Sequence, residues 1–234
     1  MPLDESKAAE LATRIPEEEL MDVPLNAQAY AAADFSEPNS KFVALFAEKF
    51  PAFDGSRILD LGCGPADITI RLALRYPQAA VTGVDGAGVM VGIAREALLR
   101  HPSLAGRAGV RKWHIGREES PLPPHAFSAV VSNSLLHHMR DPLDLWRAIG
   151  ACAARNAAVL IMDLVRPASL IEAENIVEKY ACGETEVLKS DFLNSLLAAY
   201  DPAQIREQLA AVNMNHLSME AVSDRHVIIF GSIG

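Results

Sequence analysis

The sequence predicts an α/β fold, a mostly parallel sheet covered by helices on both faces. Three observations predict it. Short apolar runs alternate with helix-patterned stretches from Arg57 to Leu164. The runs are continuous rather than alternately polar, as strands buried on both faces are. Glycines follow the first run at once, where a strand must turn tightly into a helix.

The elements follow in order. Residues 25–35 favour helix through their alanines. Pro38 can open a helix running to about Phe50, with Phe42, Leu45, Phe46 and Phe50 as its stripe. Strands are then expected at Arg57–Leu61, Ala80–Val84, Val110–Ile115, Phe127–Ser132 and Ala157–Leu164. Helices are expected between them at Ala66–Arg75, Val89–Arg100 and from Pro142 to about Ala153. Asp141 is placed to cap the last of these, with Pro142 at its first position. From 167 to 212 the strand rhythm stops and only helices are expected, at about 168–182, 189–199 and 202–211. Two apolar runs, 215–222 and 226–232, flank Ser223-Asp224 and read as a closing hairpin. The expected organisation is a helical cap over 1–50 and one domain over 51–234, with 167–212 as a helical lid inserted in it.

Half of the 234 residues are hydrophobic, enough for a sizeable core, and aromatics are only 6%. The net charge is −9 and the densest charge run, Glu17-Glu18-Glu19, is acidic. A protein that tracks phosphates needs a basic stripe, so nucleic acid is an unfavoured partner. The three cysteines, Cys63, Cys152 and Cys182, are far apart, with neither metal-type nor disulfide spacing. No apolar stretch reaches membrane-spanning length, and Met1-Pro2-Leu3-Asp4-Glu5 lacks the character of a signal peptide. A cytoplasmic protein is expected.

The chemistry is concentrated where the first strand ends, in Asp60-Leu61-Gly62-Cys63-Gly64-Pro65-Ala66-Asp67. Gly62 and Gly64 let the backbone come close to a ligand. The second strand ends in Asp85, where an acid can accept both hydroxyls of a ribose. Together these make an adenosine site. A dinucleotide fingerprint would carry a third glycine where Asp67 stands. Asp60, just ahead of the glycines, repels a pyrophosphate but suits an ammonium or a sulfonium.

Ile58-Leu59-Asp60-Leu61-Gly62-Cys63-Gly64 resembles the first motif of class I S-adenosylmethionine (SAM)-dependent methyltransferases. Val81-Thr82-Gly83-Val84-Asp85 is similar to their second-strand motif, and Phe127–His138 resembles their fourth-strand block. The likeness spans about 57–165, and the closing hairpin extends it. It implies a Rossmann-like three-layer sandwich, with a seven-stranded sheet whose last strand is antiparallel. It implies SAM as cofactor and S-adenosylhomocysteine (SAH) as product. Asp60 and Gly62 would surround the methionine moiety, Asp85 would bind the ribose, Met90 would lie near the adenine, and the backbone at Asn133 would face the amino end. Gly64, Gly86 and Arg117 complete the expected cofactor set. Tyr30 joins it from a helix able to fold over the ligand. The sequence departs from the family pattern at Gly116, Gly86, Ser128 and Ala154-Arg155-Asn156-Ala157, where the family has an adenine-binding acid, a bulky apolar group, an aspartate and a glycine-rich turn.

His137 is the candidate base or acceptor contact, with His138 expected to pack under the next helix. Asp163 and Arg166 end the fifth strand, on the expected ligand edge. No metal site is expected, since histidines and acids are not grouped at ligand spacings. The partner expected is a small-molecule methyl acceptor, with a second copy of the chain admitted as a homodimer. Two other readings stand beside it: a non-catalytic SAM-binding protein, and an NAD(P)-dependent oxidoreductase, which Asp60, Asp67 and the hairpin disfavour.

Overall fold

The computed structural model describes residues 13–17, 20, 22 and 24–234. Of the cap expected over 1–50, residues 1–12 lie outside the described residues, as do Glu18 and Glu19 of the acidic run.

Seven strands form one sheet: β1 (Arg57–Leu61), β2 (Ala80–Asp85), β3 (Ala108–Lys112), β4 (Phe127–Asn133), β5 (Ala153–Leu164), β6 (Ser218–Ala221) and β7 (His226–Ser232). Their order is β3-β2-β1-β4-β5-β7-β6. Neighbours from β3 to β5 pair in parallel, and β7 runs antiparallel to both β5 and β6. The strand order reverses between β1 and β4, which opens a crevice at their carboxyl ends. The helices are α1 (Pro24–Ala32), α2 (Ser36–Lys49), α3 (Asp67–Arg75), α4 (Gly88–Leu99), α5 (Pro142–Cys152), α6 (Leu170–Ala181), α7 (Glu186–Ala198) and α8 (Pro202–Ala211). Among the described residues no helix is long and apolar enough to cross a membrane.

Side-chain alternation along the strands divides the core in two. Leu59, Leu61, Val130, Val159 and Ile161 join Leu145, Trp146 and Ile149 of α5 and Ile205 and Leu209 of α8. Ile58, Ala129, Val131 and Leu160 join Phe42 and Phe46 of α2, Ile68 and Leu72 of α3, and Ala94 of α4. The three-layer sandwich expected from the sequence is therefore present. Two of its helices come from segments expected to cap or cover it. Helix α2 is a layer of the sandwich, because Phe42 and Phe46 are fully buried in the sheet's core. Helix α8 is likewise a layer, begun by a capping box between Asp201 and Gln204. Helices α6 and α7 pack in a separate cluster around Ala173, Ile176, Val177 and Leu196.

Two strands differ from expectation. The third pairs over Ala108–Lys112 with Val81–Asp85, ahead of the expected Val110–Ile115. It is a half-exposed edge strand, and the apolar residues that mark it in the sequence, Trp113 and Ile115, are buried in the core beyond the ladder. The fifth begins at Ala153 straight out of α5. Its pairing with β4 shifts between Phe127 and Ala129, and Asn156 takes a left-handed φ of 63° there. Asparagine tolerates that conformation, so it does locally what a glycine-rich turn does elsewhere. Asp141 caps α5 by accepting from the Leu143 N–H at 3.0 Å, and the Ser223 hydroxyl closes the β6–β7 hairpin on the N–H groups of Arg225 and His226, both as expected.

Arg166 is not at the ligand edge. It is buried, and its guanidinium bonds Asp201 at 2.7 Å, Gln204 at 3.0 Å and the Ala199 carbonyl at 3.3 Å, fixing the start of α8. Removing Asp201 strands that charge and strips the helix cap, so Asp201→Ala should lower stability by about 3 kcal/mol. The double variant Arg166→Met/Asp201→Ser should recover most of that loss, because no buried charge remains and a capping hydroxyl does. Urea unfolding of the three proteins measures both.

Candidate functional site

The loop after β1 is clasped to the end of β2. The N–H groups of Gly62 and Cys63 both donate to the Val84 carbonyl at 2.9 Å. Gly62 needs its φ of 71°, and a Cβ there would lie 2.9 Å from the Leu135 side chain, so the loop after β4 rests on this glycine. The N–H of Gly64 donates to Asp85 Oδ2 at 2.9 Å, and the N–H of Ala87 donates to Asp85 Oδ1 at 2.8 Å. One carboxylate thus closes both turns at the crevice. Burial pushes the Asp85 pKa up against those two hydrogen bonds, with the Asp22 charge adding to the rise. Each of its oxygens retains a lone pair for a further donor.

Asp60 lies beneath the loop, 1% exposed, and accepts from the Thr69 hydroxyl at 2.6 Å. Burial raises its pKa to about 7, against the Thr69 hydrogen bond and with help from Asp85. Asp67, at the place of a third glycine, starts α3 and takes Asn39 at 2.9 Å and Arg71 instead of leaving room for a pyrophosphate.

The other expected cofactor residues surround this loop. Met90 is buried in a small cluster with Ala27, Ala87 and Tyr30. The Tyr30 ring packs on Phe35 at 4.7 Å, and burial and Asp85 push its hydroxyl up to about 12. Asn133 ends β4 with its Oδ1 buried and without a hydrogen-bond partner among the described residues. A Cβ on Gly86 would lie 2.7 Å from Leu20, so the N-terminal segment crosses over this position. Asp22 of the same segment accepts from the Val89 N–H at 3.3 Å, at the start of α4. Gly116, standing in place of an adenine-binding acid, has a φ of 82°, and the Asp144 carboxylate occupies the space of its side chain. Arg117 is exposed and lines the neighbouring cavity.

That cavity, about 760 Å³, is lined by Arg14, Glu17, His114, Arg117, His138 and Arg140 among others. The structure reverses the two histidines. His137 is the buried one, 2% exposed, and His138 faces the cavity. The reason is Asp163, whose carboxylate takes His137 Nδ1 at 2.5 Å and the N–H groups of Leu136 at 2.7 Å and Leu164 at 2.8 Å. Burial alone would raise the Asp163 pKa, but His137 and these donors hold it below the usual range. Burial alone would lower the His137 pKa, but Asp163 and then Glu17 hold it above the usual range.

Glu17 and Arg14 are site residues that sequence reasoning missed. Glu17 lies 3.5 Å from His137 Nε2 and 3.1 Å from His138 Nδ1, and Ser195 of α7 donates to it at 3.2 Å. Arg14 donates to the carbonyls of His137, Met139 and Ala198 and stacks over Tyr200 at 4.4 Å. Both stand in Arg14-Ile15-Pro16-Glu17, a segment without periodicity, and their partners are distant in sequence.

Comparison with known proteins follows the same lines. A family model described as a methyltransferase domain matches residues 58–156. An uncharacterized methyltransferase of Mycobacterium tuberculosis is 28% identical over 65% of this chain and 73% of its own length. A trans-aconitate 2-methyltransferase of Rhodopseudomonas palustris is 34% identical over 44% of this chain and 37% of its own length. The solved phosphoethanolamine N-methyltransferase 2 of Haemonchus contortus, in complex with phosphomonomethylethanolamine and SAH, superposes with a TM-score of 0.65 at 15% identity. That match covers 90% of this chain and 57% of that one, and it carries the fold.

The burial of Asp60 is testable without any ligand. Its carboxyl should titrate near 7, and higher still in Thr69→Val, which removes the bond favouring the charged form. A folded-state pKa above the unfolded value gives stability that is present below about 4 and lost as pH rises through about 7. The melting temperature of Asp60→Asn relative to the parent should therefore climb between pH 5 and pH 8.

Proposed function

We propose that this chain, which belongs to the class I SAM-dependent methyltransferases, methylates a small polar molecule held in the cavity lined by Arg14, Glu17, Arg117 and His138. Its cofactor is SAM. The observation that carries the reading is Asp85, fixed by Gly64 and Ala87 at the crevice with lone pairs to spare for ribose hydroxyls. The residues present fit the cofactor. The unpartnered Oδ1 of Asn133 suits an ammonium group, and buried Asp60 supplies negative potential beneath the loop. Met90 and Tyr30 offer apolar surface at the start of α4 for the adenine, and Arg117 stands at the cavity side of the same edge.

When bound, SAM supplies a methyl group on a sulfonium, which an acceptor lone pair takes by in-line displacement. The protein's task is then alignment and exclusion of water. The cavity is of small-molecule size. Its arginines and histidines select a polar acceptor, and the trans-aconitate 2-methyltransferase likeness supports that class. His137 acts in this reading through Glu17, since its Nε2 meets that carboxylate rather than the cavity. The lid is double. Its first half is made of residues 14–17, Leu20, Asp22 and α1, with Leu20 over Gly86 and Asp22 at the start of α4. Its second half is the α6–α7 pair, tied to that segment by the Ile15 N–H on the Leu197 carbonyl at 3.0 Å.

SAH should bind with a Kd of about 1 μM, roughly −8 kcal/mol. Asp85→Ala should weaken it by about 1.5–3 kcal/mol, through lost bonds to a charged acceptor. Calorimetry decides, and unchanged affinity in a folded variant removes Asp85 from the site. Isotope-labelled SAM incubated with cell metabolites should label a small molecule. Label found only in protein or nucleic acid would overturn the acceptor class.

Hydrogen exchange over residues 13–36 should slow when SAH binds, because the segment closes over the loop. Equal exchange with and without SAH, together with normal activity after deletion of residues 1–36, would leave α6–α7 as the whole lid.

A further inference from the structure

Glu17, His137 and His138 each present one ligand-type atom, and the three atoms lie within 4.8 Å of one another. We propose that they form a binding site for a divalent first-row transition ion, of which Zn²⁺ is the representative, at the wall of the acceptor cavity. The sequence offered no such site, because Glu17 is brought to the histidines only by the path of the N-terminal segment.

The geometry fits an ion. Two ligands about 2.0–2.1 Å from one metal stand roughly 3.0 Å apart in an octahedral site and about 3.3–3.4 Å apart in a tetrahedral one. Glu17 Oε1 lies 3.1 Å from His138 Nδ1 and 3.5 Å from His137 Nε2. Two imidazoles with one carboxylate suit Zn²⁺, Fe²⁺ or Co²⁺ better than Mg²⁺ or Ca²⁺, which take oxygen ligands.

The surroundings are built as a metal's are. His137 Nδ1 is tied to Asp163 at 2.5 Å, and Asp163 is held in turn by two backbone N–H groups. This is the carboxylate–histidine pairing that fixes a metal-binding imidazole, with Nε2 left as the ligand atom. Glu17 is steadied by Ser195. Glu17 and His138 both line the cavity, so an ion held by three protein groups would keep an open position facing the acceptor. The ligand class that position takes is an oxygen or nitrogen donor of the small molecule. The ion would also cross-link the N-terminal segment to the loop after β4.

The test uses the full chain, treated with chelator and titrated with Co²⁺ and with Zn²⁺. One equivalent should bind, with a Kd at or below about 10 μM, and Co²⁺ should give visible d–d absorption. Glu17→Gln and His138→Ala should each weaken binding by at least tenfold, and Asp163→Asn by about 10–100-fold. Circular dichroism and SAH affinity, followed in the same proteins, report folding and the cofactor site independently of the ion. Failure of the cofactor reading would show in Asp85→Ala and failure of this one would not. Absence of saturable binding up to about 100 μM metal, or parental affinity in folded Glu17→Gln and His138→Ala, overturns the proposal.

Discussion

A carboxylate taken out of water must be surrounded by donors, and the arrangement of this edge of the molecule depends on how Asp163 meets that demand. It ends β5 fully buried and collects three donors, two from backbone and one from His137. Two of them belong to the turn that follows β4. That turn is therefore not free to choose its course. It must bring the Leu136 N–H and the His137 ring back to β5. In doing so it lays Leu135 on Gly62 and turns His138 outward to the cavity. Its carbonyls at His137 and Met139 then face Arg14, which fastens the N-terminal segment across the crevice.

Asp85 has the corresponding role at the end of β2. Its donors are the N–H of Gly64 and the N–H of Ala87, from the turns after β1 and β2. Asp60 differs from both. Thr69 supplies its one side-chain donor, so its burial is only partly offset and its pKa rises to about 7. Three acids at one sheet edge are thus shifted differently, Asp60 to about 7, Asp85 upward and Asp163 downward, according to the donors and charges each has against its burial. A cationic ligand placed beside Asp60 would draw it into the ionised form, whereas Asp163 is already ionised and committed to the scaffold.

The sheet is legible in the sequence because buried parallel strands are written as unbroken apolar runs, and β1, β2, β4 and β5 are such runs. The edge strand β3 reads too far along the chain because Trp113 and Ile115 are apolar for the core's sake and not for the ladder's. Asp85 and the glycine loop are legible because their chemistry is local, one element ending beside the next. The histidines read the wrong way round because which of two adjacent side chains turns inward depends on Asp163, in a different strand. Helices α2 and α8 look like covering segments by position in the chain, yet Phe42, Phe46, Ile205 and Leu209 are buried in the two cores. Glu17 is invisible as a site residue. An acid beside other acids has no signature until the chain brings it to a partner.

In the proposed reading, substrate access and chemistry are joined through that same acid. The N-terminal segment touches the turn after β2 and the start of α4 through Leu20 and Asp22, and the cavity through Arg14 and Glu17. Arg14 and Glu17 hold to the body largely through polar groups, namely carbonyls, a histidine pair and one serine. Polar contacts at a partly wet edge are individually worth about 1 kcal/mol and exchange readily with water. In the proposed reading, residues fastened by replaceable bonds release to admit ligands and close again over them, each closure returning Glu17 to the same two histidines. On that reading, the groups that would shut the site are thus the groups that line its acceptor end.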